Sequence, residues 1–444
     1  MSAGLAFERL RAVPWLGLAG LGPDLCTALA PILVHGPAAW PAERAVDRFL
    51  RAHRALSSDQ RCAAVEALFG VSLWRRRLLW ALGRSGEAAR CGEPLAPLLD
   101  PAALLFALLH GLGGLPAAEA RALLAPASVS FTDSWCDVEP ESLGDRWSLP
   151  SWLAARLGAA LGAAAEPFAA ALALPGPIFL RANRGKTDRA ALAAALLAEG
   201  VHSEPCRYAP DGLRITSPRP NLLALRAHQE ALFEVQDEGS QLLAALVEAQ
   251  PGETVLDLCA GAGGKSLPLA SAVGAAGRVL ACDPDRSRLE RLQRRAARAG
   301  VRVEVSGAHP PAGLLADRVL ADVPCSEVGA LRRGPDARWR LDPAQVAILP
   351  ALQQEILARA AAHLRPGGLL VYATCTVLPE ENERVAEWFE RNHPGYEPIL
   401  PGMAEGRRWL DPALLQGERF VARPELHGTD GFFAALWRRT APPR

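Results

Sequence analysis

The sequence predicts an α/β protein that ends in a doubly wound, Rossmann-like parallel sheet, preceded by an all-α region and a small α/β region. Two patterns support this fold class. Apolar residues recur at helical spacing from about residue 42 to residue 161, and strands alternate with helices from residue 241 onward. Because 444 residues are too many for one ordinary core, we expect several domains. Their predicted bounds are 1–165, 166–240 and 241–444.

The predicted helical domain contains a basic cluster, Arg75, Arg76 and Arg77. Runs such as Ala63–Phe69 keep their apolar residues at helical spacing, and β-branched runs are few. The cluster fits either a solvated helix face or an RNA contact. We favour the solvated face.

The middle region changes pattern near Pro175. Ile178–Arg181 and Leu213–Thr216 have the composition of short strands. Between them we predict a helix with Thr187 as its N-cap and Gly200 as its end. These elements make a small α/β unit between the two larger parts.

The C-terminal region has the alternation expected of a doubly wound sheet. An arginine-rich helix is predicted from Arg286 to Arg298. In such a sheet, ligands bind at the carboxyl ends of the strands. The predicted strands are Thr254–Leu258, Arg278–Asp283, Val301–Val305, Arg318–Ala321 and Gly368–Ala373.

Composition narrows the class of protein. Half of the residues are hydrophobic, 22% are charged and the formal net charge is zero, so the chain is not basic overall. Nine cysteines occur with no C-x-x-C pair, which argues against a zinc site or a disulfide framework and for the reducing cytoplasm. No apolar run is long enough to span a membrane, and Pro23, Asp24 and Pro31 interrupt the signal-peptide pattern near the start. We expect a cytoplasmic protein with no metal site.

Lysine is rare in this chain. Of 48 basic residues only Lys186 and Lys265 are lysines. They are candidates for positions where a compact ammonium cannot be replaced by a planar guanidinium. The alternative is that these lysines remain by chance, and this alternative applies more to Lys186 than to Lys265.

A glycine-rich loop, Asp257–Ser266, follows one predicted strand and opens a helix. Glycines let a ligand approach the backbone, and a helix start offers free N–H donors. A phosphate loop would need glycine at Cys259, and a dinucleotide loop would need it at Ser266. Asp283, at the end of the next strand, is placed to meet a ribose. The loop therefore suits a nucleoside cofactor without a pyrophosphate.

Two cysteines follow two other strands, in Asp322–Ser326 and in Tyr372–Thr376. A lone cysteine is usually an inert small apolar residue. Two cysteines at strand ends over one pocket suggest instead a reaction in which thiols act on cytosine. Carbon 5 of cytosine is not nucleophilic until a thiolate adds at carbon 6, and a second group then helps to eliminate the thiol.

Several ordered motifs together resemble the Sun-type family of RNA cytosine-5 methyltransferases. The resemblance covers roughly residues 179–438, and Leu56–Leu82 is weakly similar to a NusB-like helical RNA-binding domain. It implies a class I methyltransferase sheet. The motifs are Asp257–Ser266, Asp322–Arg340 and Tyr372–Asn382, with Gln236–Gln241 and Gly431–Phe433 as flanking motifs.

The resemblance implies a role for each matching residue. Cys375 is the expected nucleophile and Cys325 the residue that aids product release. Asp322 is expected to contact the cofactor or the target base, Lys265 is expected beside the pocket, and Lys186 lies in a segment that resembles the family's RNA-facing segment. The expected cofactor is S-adenosylmethionine, held by Cys259, Ala260, Gly261, Ala262, Gly263, Gly264, Lys265, Asp283 and Asp322. The implied partner is RNA, above all ribosomal RNA, and we expect a monomer.

The chain departs from the family at two positions. Ala262 stands where the family usually has proline, and Ala308 stands where it carries an acid near the adenine. Because of the second departure, we expect weaker binding of the cofactor.

Other functions fit less well. An exocyclic amine methyltransferase needs an aromatic residue in place of Cys325, and a DNA cytosine-5 enzyme does not need Cys375. A tRNA cytosine-5 methyltransferase and a scaffold with weakened catalysis stay open.

Overall fold

A computed structural model describes residues 3–34, 39–89, 99–125, 138–218, 220–403 and 409–440. The chain divides into two units. The first is Met1–Pro175 together with Ala330–Val346, and the second is Gly176–Gly329 together with Ala347–Arg444. Residues 330–346, which the sequence assigns to the C-terminal domain, thus belong to the helical unit.

Helices and strands are numbered in chain order. The helices are α1 Ala3–Arg11, α2 Gly22–Leu29, α3 Ala42–Ala52, α4 Ser58–Ala81, α5 Ser85–Ala89, α6 Pro101–Ala107, α7 Ala117–Leu124, α8 Leu143–Trp147, α9 Ser151–Leu161, α10 Ala165–Leu172, α11 Arg189–Ala198, α12 Arg226–Gln229, α13 Glu238–Ala245, α14 Ser266–Val273, α15 Arg286–Ala299, α16 Ala337–Arg340, α17 Pro343–Ala362, α18 Glu383–Asn392 and α19 Pro424–His427. The strands are β1 Phe179–Ala182, β2 Ser203–Pro205, β3 Gly212–Ile215, β4 Phe233–Val235, β5 Thr254–Asp257, β6 Arg278–Ala281, β7 Glu304–Val305, β8 Ala316–Asp322, β9 Leu364–Thr374, β10 Tyr396–Ile399, β11 Leu415–Gln416, β12 Arg419–Ala422 and β13 Phe432–Arg439. None of the helices in these ranges is long and apolar enough to cross a membrane.

The arginine cluster of α4 lies inside the helical unit, so the expectation of a solvated face is wrong, and so is the alternative of an RNA contact. Arg75, Arg76 and Arg77 expose 1%, 4% and 7% of their surface. Arg76 donates from Nε to Asp145 at 2.7 Å and from Nη1 to the Leu149 carbonyl at 2.8 Å. Buried guanidinium groups need such acceptors. The cluster therefore has a structural role, which helical periodicity does not reveal.

Residues 330–346 complete the helical unit. The fully buried Arg338 donates to the carbonyl oxygens of Trp147, Ser148 and Leu172 at 3.2–3.3 Å. Burial lowers the pKa of Arg338 to about 9. The Trp339 indole donates to the carbonyl of Ser72 at 2.7 Å. Because these buried polar groups are bonded to residues of the helical unit, the segment folds with the helices.

The small sheet of the second unit is antiparallel, in the order β2-β3-β1-β4. Helix α11 begins one residue later than predicted. Its N-cap is Asp188, whose carboxylate accepts from the amide of Ala191 at 2.8 Å. The predicted N-cap, Thr187, is therefore wrong, because the Asp188 carboxylate accepts from the first-turn amide while the Thr187 hydroxyl donates to the Asp188 carbonyl. Strands β2 and β4 have no counterpart among the predicted strands.

The large sheet confirms the predicted fold class. Its order is β11-β12-β13-β9-β8-β5-β6-β7, and β10 pairs with β13. Strands β5 to β9 run parallel, whereas β13 is antiparallel to β9. Strand β7 has two residues where five were predicted, and β10–β13 were not predicted. Four of these strands have only two to four residues, too few for a clear alternation, and the fifth, β13, begins within the flanking motif Gly431–Phe433.

Strand β5 marks the point where the strand order reverses, because β6 lies on one side of it and β8 on the other. The central strands are covered on both faces, as buried parallel sheets require. Residues 369–373 of β9, for example, are fully buried. The crevice at the carboxyl ends of β5 and β8 is therefore the expected ligand site.

Candidate active site

Strand register brings the predicted motifs to one edge of the large sheet. Asp257, the last residue of β5, pairs with Leu320 of β8, and Asp322, the last residue of β8, pairs with Ala373 of β9. The loops that follow these three strands therefore start side by side. They carry the glycine motif and both cysteine motifs.

The glycine loop needs glycine for two reasons. Gly261 and Gly263 have φ angles of +54° and +88°, a region that other residues rarely adopt. At Gly263 a Cβ atom would also lie 2.8 Å from the side chain of Leu292. Asp283 holds the loop, because its buried carboxylate accepts from the amides of Gly261 at 3.0 Å and Asp285 at 2.8 Å.

Asp257 begins the glycine-loop motif, but the sequence does not single it out as a site residue. Its Oδ2 accepts from the Ser266 hydroxyl at 2.7 Å. Its Oδ1 is buried and has no hydrogen-bond partner in the part of the chain that the structure describes. Burial raises the pKa of Asp257 to about 6. Position at a strand end is the signal that points to it.

The residues present fit S-adenosylmethionine. The free Oδ1 of Asp257 offers an acceptor for a cationic amine, and the loop around Gly261 leaves room for a ligand beside the backbone. Asp283 stands after β6, where an acid meets a ribose.

Lys265 and Asp322 form an ion pair at the same edge, 2.5 Å from Nζ to Oδ2. Burial acts to lower the pKa of Lys265, but the charge and hydrogen bond of Asp322 outweigh it and raise the pKa. Lys265 therefore stays charged. The pair joins the β5 loop to the end of β8.

The two predicted catalytic cysteines lie in contact. Cys325 Sγ and Cys375 Sγ are 3.4 Å apart, and the amide of Cys375 points at Cys325 Sγ at 3.3 Å. The hydrogen bond with Cys325, followed by burial, raises the pKa of Cys375 well above its ordinary value. In this state Cys375 is therefore a thiol and not a thiolate.

Other predicted loop residues act through their backbone. The carbonyl of Ala262 accepts from Arg295 at 2.6 Å, and the carbonyl of Gly264 accepts from Arg181 at 2.9 Å. The amide of Ala260 donates to the carbonyl of Cys282 at 2.8 Å. These bonds hold the loop in shape.

Cys259 belongs to the apolar core rather than to an exposed surface. It packs against the core cluster that includes Leu256 and Leu258. Burial raises the pKa of Cys259 far above its ordinary value. A thiol in that state offers packing surface and no charge.

Lys186 has a structural partner that the sequence did not predict. Its Nζ donates to the carbonyl oxygens of Glu230 and Arg298, each at 2.9 Å. Arg298 lies in the last turn of α15, where carbonyls lack partners within the helix. The ammonium thus caps a helix.

Ala308 lies in an exposed turn after β7. The neighbouring Gly307 accepts from the amide of Asp283 at 2.8 Å. The turn therefore sits beside the predicted ribose acid, as the resemblance implies for the missing carboxylate.

Comparison with known proteins shows the family of this chain. Residues 244–438 match the family model of the 16S rRNA methyltransferases RsmB/F, and residues 149–221 match the ferredoxin-like domain of RsmF/B-like proteins. The probable ribosomal RNA small subunit methyltransferase B of Synechocystis is 34% identical over 315 residues, which are 67% of this chain and 68% of that protein. The chain belongs to the RsmB/F methyltransferase family. Its cofactor is S-adenosylmethionine.

Other relatives and solved structures support the family. The ribosomal RNA small subunit methyltransferase B of Citrobacter koseri is 36% identical over 61% of this chain and 67% of its own length. A putative methyltransferase of Mycobacterium tuberculosis is 38% identical over 65% of this chain and 63% of its own. A methyltransferase homolog from Pyrococcus horikoshii has a TM-score of 0.58 at 26% identity, over 68% of this chain and all of that one. NSun6 from the same organism has a TM-score of 0.54 at 20% identity, over 68% of this chain and 99% of that one, and shows the fold alone.

Proposed function

We propose that this protein methylates carbon 5 of a cytosine in ribosomal RNA through a covalent bond between Cys375 and carbon 6. The observation that carries the proposal is the contact between the two strand-end thiols, 3.4 Å apart at the edge where the cofactor loop begins. One thiol can form the bond to carbon 6, and the other can help to break it. The names of the relatives support ribosomal RNA as the substrate.

Cys375 starts the reaction as the nucleophile. Its thiolate forms a bond to carbon 6, and the electron pair of the C5–C6 double bond moves to carbon 5. S-adenosylmethionine, when bound, would supply an electrophilic methyl group to carbon 5 and would be left as S-adenosylhomocysteine. Asp257, Asp283 and the loop at Gly261 are the residues that we assign to cofactor binding.

Cys325 completes the cycle. We assign to its thiolate the removal of the proton on carbon 5, which leaves Cys325 as a thiol. The electron pair of the C5–H bond then forms the C5–C6 double bond again, and the C6–S bond breaks. Cys375 leaves as a thiolate. The ion pair of Lys265 and Asp322 supplies polar groups beside the base and keeps the cofactor loop next to the thiols.

Substrate binding must help to activate Cys375, because its pKa is raised in this structure. Cys325 is the first cause of that shift, so movement of Cys325 away from Cys375 lowers the pKa. A target base extruded from its stack enters the space over the thiols. Activation thus depends on the base being present.

The test is a methylation assay on the purified chain with S-adenosylmethionine and small-subunit ribosomal RNA from a strain that lacks the gene. Bisulfite sequencing identifies any cytosine that becomes protected. Protection of one or a few cytosines supports the proposal. Methyl transfer to RNA without bisulfite protection contradicts the carbon-5 assignment, and protection only in transfer RNA contradicts the ribosomal substrate.

A further inference from the structure

A buried carboxylate, Glu381, connects the two loops that carry the cysteines. Glu381 lies six residues after Cys375, just before α18, and none of its surface is exposed. Its Oε2 accepts from the backbone amide of Ser326 at 2.9 Å, and its Oε1 accepts from the Ser326 hydroxyl at 2.5 Å. Ser326 directly follows Cys325. One side chain therefore holds the neighbour of one cysteine from the loop of the other.

The hydrogen bonds around Glu381 form an ordered set. The Ser326 hydroxyl donates to Glu381, the Thr376 hydroxyl lies 2.9 Å from Ser326 Oγ, and the amide of Leu378 donates to Thr376 at 3.3 Å. Each hydroxyl then donates one hydrogen and accepts one. Thr376 directly follows Cys375, so the residue after each cysteine belongs to the same set.

Helix α17 closes this arrangement from a third side. The amide of Gln353 donates to Oε2 of Glu381 at 2.9 Å and to the carbonyl of Pro324 at 3.0 Å. Pro324 directly precedes Cys325. The hydroxyl of Tyr372 donates to the backbone carbonyl of Glu381 at 2.5 Å. The two residues beside Cys325 are thus bonded to one buried pair, Glu381 and Gln353.

A buried carboxylate at this position is unfavourable for the stability of the fold. It forms no ion pair with Lys or Arg among the described residues, and its donors are uncharged. Burial raises its pKa above the ordinary value. An apolar or amide side chain of similar volume is normally better tolerated in a core. A buried carboxylate in the Cys375 loop whose oxygens meet donors of the Cys325 loop and of α17 instead points to a role in placing the two thiols.

We infer that Glu381 is a positioning residue that sets the separation and direction of the Cys325 and Cys375 thiols. The inference rests on the proposed function for its catalytic consequence, but the position of the thiols can be measured without RNA. In Glu381→Gln an N–H₂ group replaces one oxygen and faces either the Ser326 or the Gln353 donor. At the Oε2 position the N–H₂ group opposes the donors of Ser326 and Gln353, and at the Oε1 position it forces the Ser326 hydroxyl to reverse and accept. In either orientation the charge-assisted bonds that anchor the Cys325 loop are lost.

The first measurement uses the full chain without RNA. Dibromobimane joins two nearby thiols, forming one thioether at each with loss of two bromides, and mass spectrometry of the digest identifies the Cys325–Cys375 product. We expect Glu381→Gln to lower its initial rate of formation at least fivefold. Glu390→Gln is the matched control, because Glu390 lies in the adjacent α18 and bonds Arg419 and Trp437. It should lower thermal stability and leave the cross-linking rate unchanged.

The second measurement uses small-subunit ribosomal RNA transcribed with 5-fluorocytidine, which retains the protein because fluorine at carbon 5 cannot leave as a proton. We expect Glu381→Gln to slow covalent retention at least tenfold at saturating RNA and cofactor, with the dissociation constant of S-adenosylmethionine changed less than twofold. Ser326→Ala, which removes one of the two anchoring bonds, should slow it to a smaller extent and covers the case in which Glu381→Gln does not fold. Equal cross-linking and retention rates in wild type and variants overturn the inference. If wild type cross-links but retains no RNA, the proposed function fails, and the cross-linking rates alone decide the role of Glu381.

Discussion

The ammonium of Lys186 donates a 2.9 Å hydrogen bond to the carbonyl oxygen of Arg298, in the last turn of α15. A cation at a helix C-terminus interacts favourably with the helix dipole as well as with the free carbonyls. One of only two lysines in the chain therefore has a physical reason to be a lysine. A compact ammonium reaches two carbonyls that diverge, and a planar guanidinium is less suited to that geometry.

Lys186→Met should lower the free energy of unfolding by about 1 kcal/mol. Chemical denaturation measures this value. Arg291→Met is the control, because Arg291 is exposed on the same helix and forms no ion pair within the described residues. If Lys186 instead contacts a phosphate, the variant will lower the salt dependence of RNA binding by about one unit of slope.

The two cysteines should fail in different ways. Cys375→Ala should bind RNA and cofactor but form no covalent species and transfer no methyl group. Cys325→Ala should still form the adduct and accept the methyl group, and then stall before elimination. Denaturing gels show the stalled species as a protein–RNA band. A band with Cys375→Ala and none with Cys325→Ala would reverse the two assignments.

Alkylation of Cys375 should follow its raised pKa. A thiol reacts only as the thiolate, so its rate with iodoacetamide should climb with pH and reach no plateau at about 8.5, the ordinary cysteine value. Since the hydrogen bond with Cys325 is the first cause of the shift, Cys325→Ala should move the profile to lower pH. Mass spectrometry of the Cys375 peptide gives both profiles. A plateau below pH 8 in the wild-type chain contradicts the raised pKa.

Restoring the family acid should strengthen cofactor binding. A hydrogen bond to the adenine amine contributes about 1 kcal/mol, a factor of roughly five in affinity. We expect Ala308→Asp to lower the dissociation constant of S-adenosylmethionine by that factor in calorimetric titrations. Ala308→Asn separates the hydrogen bond from the charge. An unchanged or larger dissociation constant for Ala308→Asp means that another residue already serves the adenine.

Trp339→Ala should destabilise the helical unit by about 3 kcal/mol, the usual cost of truncating a buried aromatic residue. Trp339 is 2% exposed and donates to Ser72. Circular dichroism at 222 nm during denaturation measures the loss. Trp409→Ala provides the control, because Trp409 is 38% exposed. A similar loss in both variants contradicts the structural role of residues 330–346.

The same segment changes the expected result of truncation. Deleting residues 1–165 removes the carbonyls of Trp147 and Ser148, to which the buried Arg338 donates. Residues 330–346 would then expose the Arg338 guanidinium and the Trp339 indole. We expect such a truncation to lose stability as well as RNA affinity, and thermal unfolding checks this before any binding experiment.

The sequence by itself determined the fold class and the place of the chemistry. Period-two and period-3.6 patterns are local, so they located β5, β8, β9 and α15 to within a few residues. Parallel strands end at one edge, and this alone placed Cys325 and Cys375 together. The glycines of the cofactor loop were readable because a positive φ or a close contact demands them at Gly261 and Gly263.

Only the tertiary structure decided the roles of the charged residues. Arg76 meets an aspartate 69 residues away, Arg338 meets carbonyls more than 160 residues away, and Lys186 meets one 112 residues away. Glu381 likewise bonds Ser326 across 55 residues. No local pattern reveals such pairs, because the sequence around a charged residue looks the same whether its side chain is bonded inside the protein or solvated at the surface. What separates them is the partner that folding supplies, and that partner is set by the packing of distant elements.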